Sequence, residues 1–123
     1  MKLNQITLPA KDLAVSIAFY ERLGLILIVR NDHYARFENP SDHSTLSLEL
    51  RSDIGDGAHV YFECDDLDAR VAALASKGMI FESGPEDKSW RWREAWLRDP
   101  AGNRLCFYFA GDNRRFPPWR IGK

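Results

Sequence analysis

The sequence predicts an α+β fold made of two tandem β-α-β-β-β modules within one domain. The first observation is an internal repeat, since residues 5–24 recur in variant form as residues 59–78. The second is that each copy opens with the alternation of a strand and continues with the spacing of a helix. The third is that further strand patterns, separated by turn signals, follow each copy. We therefore expect module one to span residues 1–52, module two to span residues 57–110, and a tail to follow.

Length and charge set the class of protein. A chain of 123 residues is long enough to bury a core as one domain. Its net charge of −1 and its interleaved charges argue against nucleic acid or an anionic membrane as a partner. Two cysteines and no recognisable signal peptide favour thiols in a reducing compartment. The longest apolar run, Leu25–Val29, is too short to span a bilayer, so we expect a cytoplasmic protein.

The first strand and helix of module one have clear limits. We predict a strand over Leu3–Leu8, with Gln5 on one of its faces, and we expect Pro9 to end it. Asp12 is suited to cap the helix that follows, because its carboxylate can accept from backbone N–H groups that lack a helical partner. Gly24 is expected to end this helix, because it tolerates the left-handed conformation.

Three further strands complete module one. Leu25–Val29 is apolar enough to predict a strand that is buried on both faces. Strands are also expected over Tyr34–Phe37 and Ser44–Leu50, since turn-forming Asn, Asp and Pro residues separate these segments. In the last strand the leucines alternate with polar residues, which places Glu49 on the polar face.

Module two repeats the plan of module one. Asp66 takes the position of Asp12 as the predicted helix cap, and Gly78 takes that of Gly24. The predicted strands are His59–Cys64, Met79–Phe81, Trp90–Arg98 and Arg104–Phe109. A polar loop, Gly84–Ser89, is predicted between the second and the third of these strands.

A turn and a tail complete the chain. The pentapeptide from Asp99 to Asn103 predicts a tight hairpin turn, because proline fixes φ and glycine accepts positive φ. The tail Gly111–Lys123 contains two prolines and is expected to be extended and to dock through Trp119.

Two motifs carry a resemblance to a known family. Asp12-Leu13, Phe19-Tyr20 and Leu23-Gly24 mark the first helix, and the hexapeptide from Arg98 to Asn103 precedes the last strand. With the two modules, these motifs resemble the vicinal oxygen chelate superfamily, which includes glyoxalase I, fosfomycin- and bleomycin-resistance proteins and extradiol dioxygenases. The resemblance covers the chain from Leu3 to about Ala110. It implies curved mixed sheets that together form a cup with the helices outside.

The resemblance also implies four metal-binding positions, which fall on Gln5, Glu49, His59 and Cys106. Strand alternation independently places all four side chains on the face away from the helices. Imidazole, carboxylate and amide groups can hold a divalent ion such as Zn²⁺, Ni²⁺, Mn²⁺ or Fe²⁺. Cys106 stands where glyoxalase I has a glutamate that is both ligand and base, so the match to that enzyme is incomplete. As alternatives, Gln5 and Glu49 suit a solvated strand face, and Cys106 suits a buried apolar position.

Aromatic residues dominate the same predicted face of module two. The resemblance implies that Trp92, Trp96 and Glu94 lie on this face, and strand alternation adds Tyr61, Tyr108 and Glu63. Rings with polar edges suit a planar or aromatic ligand. Glu63 and Glu94 are candidates to move a proton in catalysis. The rings could equally fill the cup or seal a contact between subunits.

Two classes of function follow from these features. In the first, a metal-dependent lyase, isomerase or oxygenase acts on a small oxygenated molecule, with His59 and Glu49 as the principal ligands. In the second, no metal binds and the aromatic face sequesters a hydrophobic small molecule, as the resembling bleomycin-resistance proteins do. Open sheet edges further predict a homodimer, because unpaired edge strands are normally covered or paired. The sequence leaves open whether modules pair within one chain or between two.

Overall fold

The computed structural model describes residues 2–53 and 59–122. The chain forms two compact units, of which the first comprises residues 1–58 with Arg98–Arg104 and the second residues 59–97 with 105–123. Each unit has one helix and one four-stranded sheet, so the predicted α+β fold of two β-α-β-β-β modules is confirmed. The predicted connection Arg51–Gly57 lies largely outside the described residues. In order, the elements are β1 Gln5–Ala10, α1 Leu13–Leu23, β2 Ile26–Arg30, β3 Tyr34–Glu38, β4 Thr45–Leu50, β5 His59–Glu63, α2 Leu67–Ser76, β6 Phe81–Asp87, β7 Arg93–Arg98 and β8 Arg104–Phe109.

The first sheet is mixed, with strand order β1-β4-β3-β2. Strand β1 runs parallel to β4, whereas β3 is antiparallel to both β4 and β2. Alternate residues of these strands, among them Leu8, Phe37 and Leu48, are buried, and the ring of Phe37 lies 5.8 Å from that of Tyr20 on α1. The helix therefore covers one face of the sheet, and the polar residues between the buried ones occupy the other face.

Two strand limits in the first unit differ from the prediction. Pro9 does not end β1 but lies within it, paired with Glu49. Proline is accepted there because β1 is the end strand of its sheet, where a missing N–H interrupts no second ladder. Strand β2 was predicted to be buried on both faces, yet Ile26 and Ile28 are 47% and 46% exposed. An end strand has only one neighbour, so its apolar composition alone does not bury it.

The two helix caps differ although their sequences match. Asp12 accepts a hydrogen bond from Val15 N at 3.2 Å, and Gly24 has a φ of 104°, as predicted. Asp66 occupies the corresponding position before α2, but its side chain makes no capping hydrogen bond. Asp66 is the N-cap residue of α2, as predicted, but the side-chain bond expected of it is not formed, because its backbone, at φ −108° and ψ 46°, departs from the extended conformation of a capping residue.

The second sheet has strand order β5-β8-β7-β6. Its strand β6 begins at Phe81 and runs to Asp87, so most of the predicted strand Met79–Phe81 and of the predicted loop Gly84–Ser89 is assigned wrongly. Gly84 and Pro85 are tolerated in β6 because it is the end strand of this sheet. Strand β7 begins at Arg93 rather than Trp90, since a turn over residues 89–91 precedes it.

The tail is a series of turns and not the extended segment that was predicted. A short 3₁₀ turn covers Gly111–Asn113, and Arg120 N donates to Pro117 O at 3.0 Å. The guanidinium carbon of Arg120 lies 4.3 Å from the centroid of the Phe116 ring. Trp119 is 56% exposed, so the predicted docking through its ring is not seen within the described residues. The local hydrogen bonds fold the prolines into turns.

A buried carboxylate organises the hairpin turn that belongs to the first unit. Asp99 Oδ1 accepts from the backbone N–H groups of Ala101 and Asn103 at 3.0 and 2.8 Å. Its Oδ2 accepts from Tyr20 OH at 2.6 Å and from Asn103 Nδ2 at 2.7 Å. Burial first, and then the charge of Asp99, raise the pKa of Tyr20 far above its usual value, so the phenol stays protonated as a donor. The turn predicted from Asp99 to Asn103 is confirmed.

Neither helix in the described ranges has the length and apolarity that crossing a membrane requires.

Candidate functional site

The second unit carries a surface that we call the aromatic face, formed by Tyr61, Trp92, Trp96 and Tyr108. Tyr61 is its centre: the centroid of its ring lies 6.0, 5.5 and 5.8 Å from those of Trp92, Trp96 and Tyr108, and each pair is nearly perpendicular. Trp92 and Tyr108 stack at 4.5 Å and 15°. These edge-to-face and stacked geometries are the favourable arrangements of aromatic rings. The structure thus brings together all four predicted ligand-binding residues.

The rings differ in exposure. Tyr61 is 45% exposed, whereas Tyr108 is buried and belongs to a cluster with Cys106 and Ala110, against which both tryptophans pack. Burial first, and then the charge of Glu63, raise the pKa of the Tyr108 phenol, which therefore stays neutral. Tyr61 is thus the most exposed of the four rings, and the tryptophans are partly buried against Tyr108.

Two of the predicted metal-binding residues lie at this face. Cys106 is 0% exposed, so the predicted alternative of a buried, apolar thiol agrees with its surroundings. His59 is exposed, and its ring packs edge-on against Trp96 at 5.3 Å. His59 therefore lies at the rim of the aromatic face, where a ligand can reach it.

Glu94 is a buried carboxylate, 4% exposed, and both of its oxygens accept from indoles. Trp90 Nε1 donates to Oε2 at 2.6 Å, and Trp96 Nε1 donates to Oε1 at 2.9 Å. Hydrogen bonds to a charged acceptor are among the stronger ones in proteins. Glu94 consequently fixes the orientation of Trp96 within the aromatic face.

The carboxylate of Glu63 is also engaged in contacts within the protein. Its Oε2 accepts from the backbone N–H groups of Ala110 and Gly111, both at 2.9 Å, and Arg114 Nε lies 3.8 Å from Oε1. These contacts attach the start of the tail to the end of β5. Both carboxylates that were predicted to move a proton are therefore engaged in holding the protein structure.

The sheet of the first unit presents a different surface on the side away from its helix. We call it the polar face, and it is formed by Gln5, Tyr34, Arg36, Thr45 and Ser47. Arg36 Nε donates to Tyr34 OH at 2.9 Å, and Tyr34 OH also hydrogen-bonds Ser47 Oγ. Thr45 Oγ1 donates to Gln5 Oε1 at 2.8 Å. The bond with Ser47 first, and then Arg36, lower the pKa of Tyr34, because these donors stabilise negative charge on the phenol oxygen.

The strand register tests whether Gln5 and Glu49 could share a metal ion. Gln5 pairs with Thr45 and Glu49 pairs with Pro9, so four register positions separate them, or about 13 Å along the strands at about 3.3 Å per residue. Strand side chains stand roughly perpendicular to their sheet and cannot close such a gap onto one ion. In the described ranges, no group of three or more His, Cys, Asp or Glu residues is placed to hold a metal. Gln5 and Glu49 therefore do not fit one metal centre with one another, and metal binding by the predicted set stays a prediction.

Sequence reasoning did not single out Tyr34, Arg36 and Ser47. The signal was present, because Tyr34 and Arg36 alternate along β3 and Ser47 alternates with leucines along β4. The register supplies the missing step by placing Arg36 directly opposite Ser47. Cross-strand neighbours of this kind depend on pairing, which alternation within one strand does not give.

Comparison with known proteins gives concordant matches. The family model described as "Glyoxalase/Bleomycin resistance protein/Dioxygenase superfamily" matches residues 2–107. A glyoxalase/bleomycin resistance protein/dioxygenase from Nocardioides is 23% identical, with 89% of this chain and 83% of that chain covered and a TM-score of 0.77. Lactoylglutathione lyase from Agrobacterium tumefaciens is 21% identical, with 98% and 97% covered and a TM-score of 0.75. A bleomycin-binding protein complexed with bleomycin is 24% identical, with 89% and 98% covered and a TM-score of 0.73. At these identities the structural matches establish the fold.

Proposed function

Because this chain belongs to the Glyoxalase/Bleomycin resistance protein/Dioxygenase superfamily, we propose that it binds a small, planar aromatic molecule on the aromatic face of its second unit. The observation that carries the proposal is the set of four rings in mutual contact, with Tyr61 partly exposed at their centre. One structural neighbour is a bleomycin-binding protein in complex with its ligand, so the fold accommodates binding of a small molecule.

The surface suits a planar ligand because its rings are already held in place. Trp92 is stacked on Tyr108, and Glu94 holds the indole of Trp96. Side chains that are ordered before binding lose little conformational entropy when a ligand arrives. A planar molecule laid on Tyr61 would gain apolar contact and aromatic stacking without rearranging its support.

The contacts of the carboxylates favour binding over proton transfer as the function of this face. Glu94 accepts from two indoles, and Glu63 accepts from two backbone N–H groups. A general base needs an oxygen within hydrogen-bond reach of the proton it removes. Using either oxygen pair for catalysis would break bonds that hold the rings or the tail.

Titration of the full chain with planar probes tests this proposal. Indole, quinoline and 2-naphthol are suitable probes, and isothermal titration calorimetry gives their affinities. Replacement of Tyr61 by Ala should weaken the best probe by about tenfold or more, since truncating an aromatic anchor of an interface commonly costs upwards of 1.4 kcal/mol. Trp119→Ala, which removes an exposed ring of the tail, is the matched control and should leave the affinity unchanged.

Two results would contradict the proposal. One is an affinity in Tyr61→Ala equal to that of the unaltered protein. The other is an equal loss in Tyr61→Ala and Trp119→Ala, which would indicate non-specific adsorption to exposed rings. A circular dichroism spectrum of each variant checks that the fold is retained.

A second candidate function is a metal-dependent enzyme that acts on a small oxygenated molecule. The exposed imidazole of His59 at the rim of the aromatic face favours it, since a neutral imidazole is a common metal ligand. Gln5 and Glu49 do not add to such a site as a pair, because they are too far apart in register to share an ion with one another. Calorimetric titration with Ni²⁺ and Zn²⁺ distinguishes the candidates: binding that His59→Ala abolishes supports the enzyme, and binding unaffected by that change contradicts a site at His59.

Self-association into a homodimer is part of the proposal. The exposure of Ile26, Ile28 and Val29 on end strand β2 supports it, because exposed apolar edges are commonly covered by another chain. Sedimentation equilibrium of the full chain should give twice the monomer mass. A monomer at all concentrations would contradict this part of the proposal, and Ile28→Lys should weaken the dimer if β2 forms the contact.

A further inference from the structure

We propose that the polar face of the first unit is a binding site for an oxyanion, such as the carboxylate or phosphate group of a small molecule, and that Arg36 is its principal ligand. This site is built from residues of the first unit, and the inference does not depend on the function proposed for the aromatic face. Three features support this site: the position of Arg36, the hydroxyl groups around it, and the absence of a carboxylate at ion-pair distance from it among the described residues.

The position of Arg36 is unusual for a strand arginine. It lies directly opposite Ser47 across the β3–β4 pair and is only partly exposed. Its Nε donates to Tyr34 OH at 2.9 Å, which holds the guanidinium over the sheet. A guanidinium has five N–H donors in a rigid fork, so the Nε contact leaves its terminal nitrogens to donate to another acceptor.

Acidic side chains are near but do not pair with this arginine. Glu38 follows two residues later on the same strand face, and Glu49 lies opposite Tyr34. Both are exposed, and within the described ranges no carboxylate lies at ion-pair distance from Arg36. The guanidinium thus donates to a phenol and not to either of the two neighbouring carboxylates. Its positive charge is therefore available to pair with the negative charge of a ligand.

Hydroxyl groups order the surroundings of Arg36. Ser47 is fully buried and shares a hydrogen bond with Tyr34, and Thr45 and Gln5 continue the network on the adjacent strands. This network holds the phenol to which Arg36 donates, and planar oxyanions match the fork of an arginine in a bidentate manner. The lowered pKa of Tyr34 is consistent with hydrogen bonds that converge on its oxygen.

Nuclear magnetic resonance titration of the full chain tests the proposal. The probes are inorganic phosphate and acetate, each added at constant ionic strength, and the signals are the Nε–Hε group of Arg36 and the amide of Ser47. Saturable changes in the chemical shifts of these signals are expected with at least one probe. The probe that binds more tightly identifies the class of oxyanion. Arg36→Met should abolish them at Ser47, and Arg36→Lys should weaken binding by about tenfold, because lysine keeps the charge but loses the bidentate fork.

Arg30→Met is the matched control, since Arg30 is an exposed arginine at the end of β2 in the same sheet. It should leave the phosphate and acetate titrations unchanged. The proposal is overturned if neither probe gives saturable shifts in the unaltered protein, if Arg36→Met retains them, or if Arg30→Met loses them equally. The Arg36→Lys variant keeps the test valid should Arg36→Met fail to fold.

Discussion

The two units share one plan but present different chemistry on their sheets. Equivalent repeat positions frame both of them, since Leu13 and Leu67 begin the helices and Gly24 and Gly78 have positive φ. The faces away from the helices differ. The first unit has hydrogen-bonded Tyr34, Arg36 and Ser47, whereas the second has stacked and perpendicular rings around Tyr61. The two units thus share the residues that begin and end their helices, whereas the sheet faces away from the helices carry different side chains.

The buried layer beneath each helix differs too. Tyr20 of α1 takes the repeat position that Leu74 holds in α2, and both are buried. Tyr20 donates to the carboxylate of Asp99, whereas Leu74 contributes only apolar contact. The first unit therefore depends on a satisfied buried charge, and the second does not at this position.

The largest expected loss of stability follows from removing the buried carboxylate of Asp99 in the first unit. Asp99→Ala removes the acceptor of two backbone N–H groups and two side chains. We expect a loss of about 3–5 kcal/mol in the free energy of unfolding, because several buried donors are left without an acceptor at a cost of about 1–3 kcal/mol each. Urea unfolding followed by circular dichroism measures it. The exposed turn residue Asp32 gives the control Asp32→Ala, and a loss no larger than in that control would show that the network contributes little.

The next effect concerns the aromatic face. Glu94→Gln keeps one acceptor oxygen but places an amide NH₂ against the other indole N–H, so one of the bonds from Trp90 and Trp96 is lost. A destabilisation of about 1.5–3 kcal/mol is expected for a hydrogen bond to a charged group. Tryptophan fluorescence during urea unfolding reports it. Glu86→Gln, on the exposed side of β6, should change the free energy of unfolding much less, and equal losses would argue against a specific role of Glu94.

The helix caps allow the most closely matched pair of changes. Asp12 caps α1 through its side chain and Asp66 makes no such bond at α2. Asp12→Ala should therefore cost about 1 kcal/mol, and Asp66→Ala should cost clearly less. Thermal unfolding of both variants under the same conditions measures the difference. Equal losses in the two variants would show that sequence position, and not the observed hydrogen bond, determines the contribution of the cap.

The smallest expected effect is a pH dependence confined to the second unit. Arg93 donates to Asp68 of α2 at 2.9 and 3.1 Å and holds the pKa of Asp68 below its usual value; the corresponding residue of α1 is Ala14. A carboxyl whose pKa is lowered in the folded state contributes stability above its unfolded pKa of about 3.9 and loses it as the pH falls through the folded value. Stability should thus fall less steeply below about pH 4 in Asp68→Asn than in the unaltered protein. Identical pH profiles would contradict the role of this pair.

Features that depend on local pattern were predictable from the amino-acid sequence. The repeat, the starts of the helices, the turn at Asp99 and the face on which Tyr61 and Tyr108 lie all followed from spacing. The face of Trp96 followed from the family resemblance. Helix periodicity, strand alternation and turn chemistry act over a few residues, and so they can be read without knowing which strands pair. The two-module fold was predictable for this reason.

Contacts between side chains of different segments depend on the tertiary structure. The exposure of β2, the extension of β6 through Gly84 and Pro85, and the turns of the tail depend on where each segment lies in its sheet. The partners of Glu94 and the separation of Gln5 from Glu49 likewise depend on rotamers and register. A strand's pattern fixes the face of each residue, but pairing fixes its neighbours along and across the sheet. The face of each candidate residue was therefore predictable from the sequence, and its chemical surroundings were not.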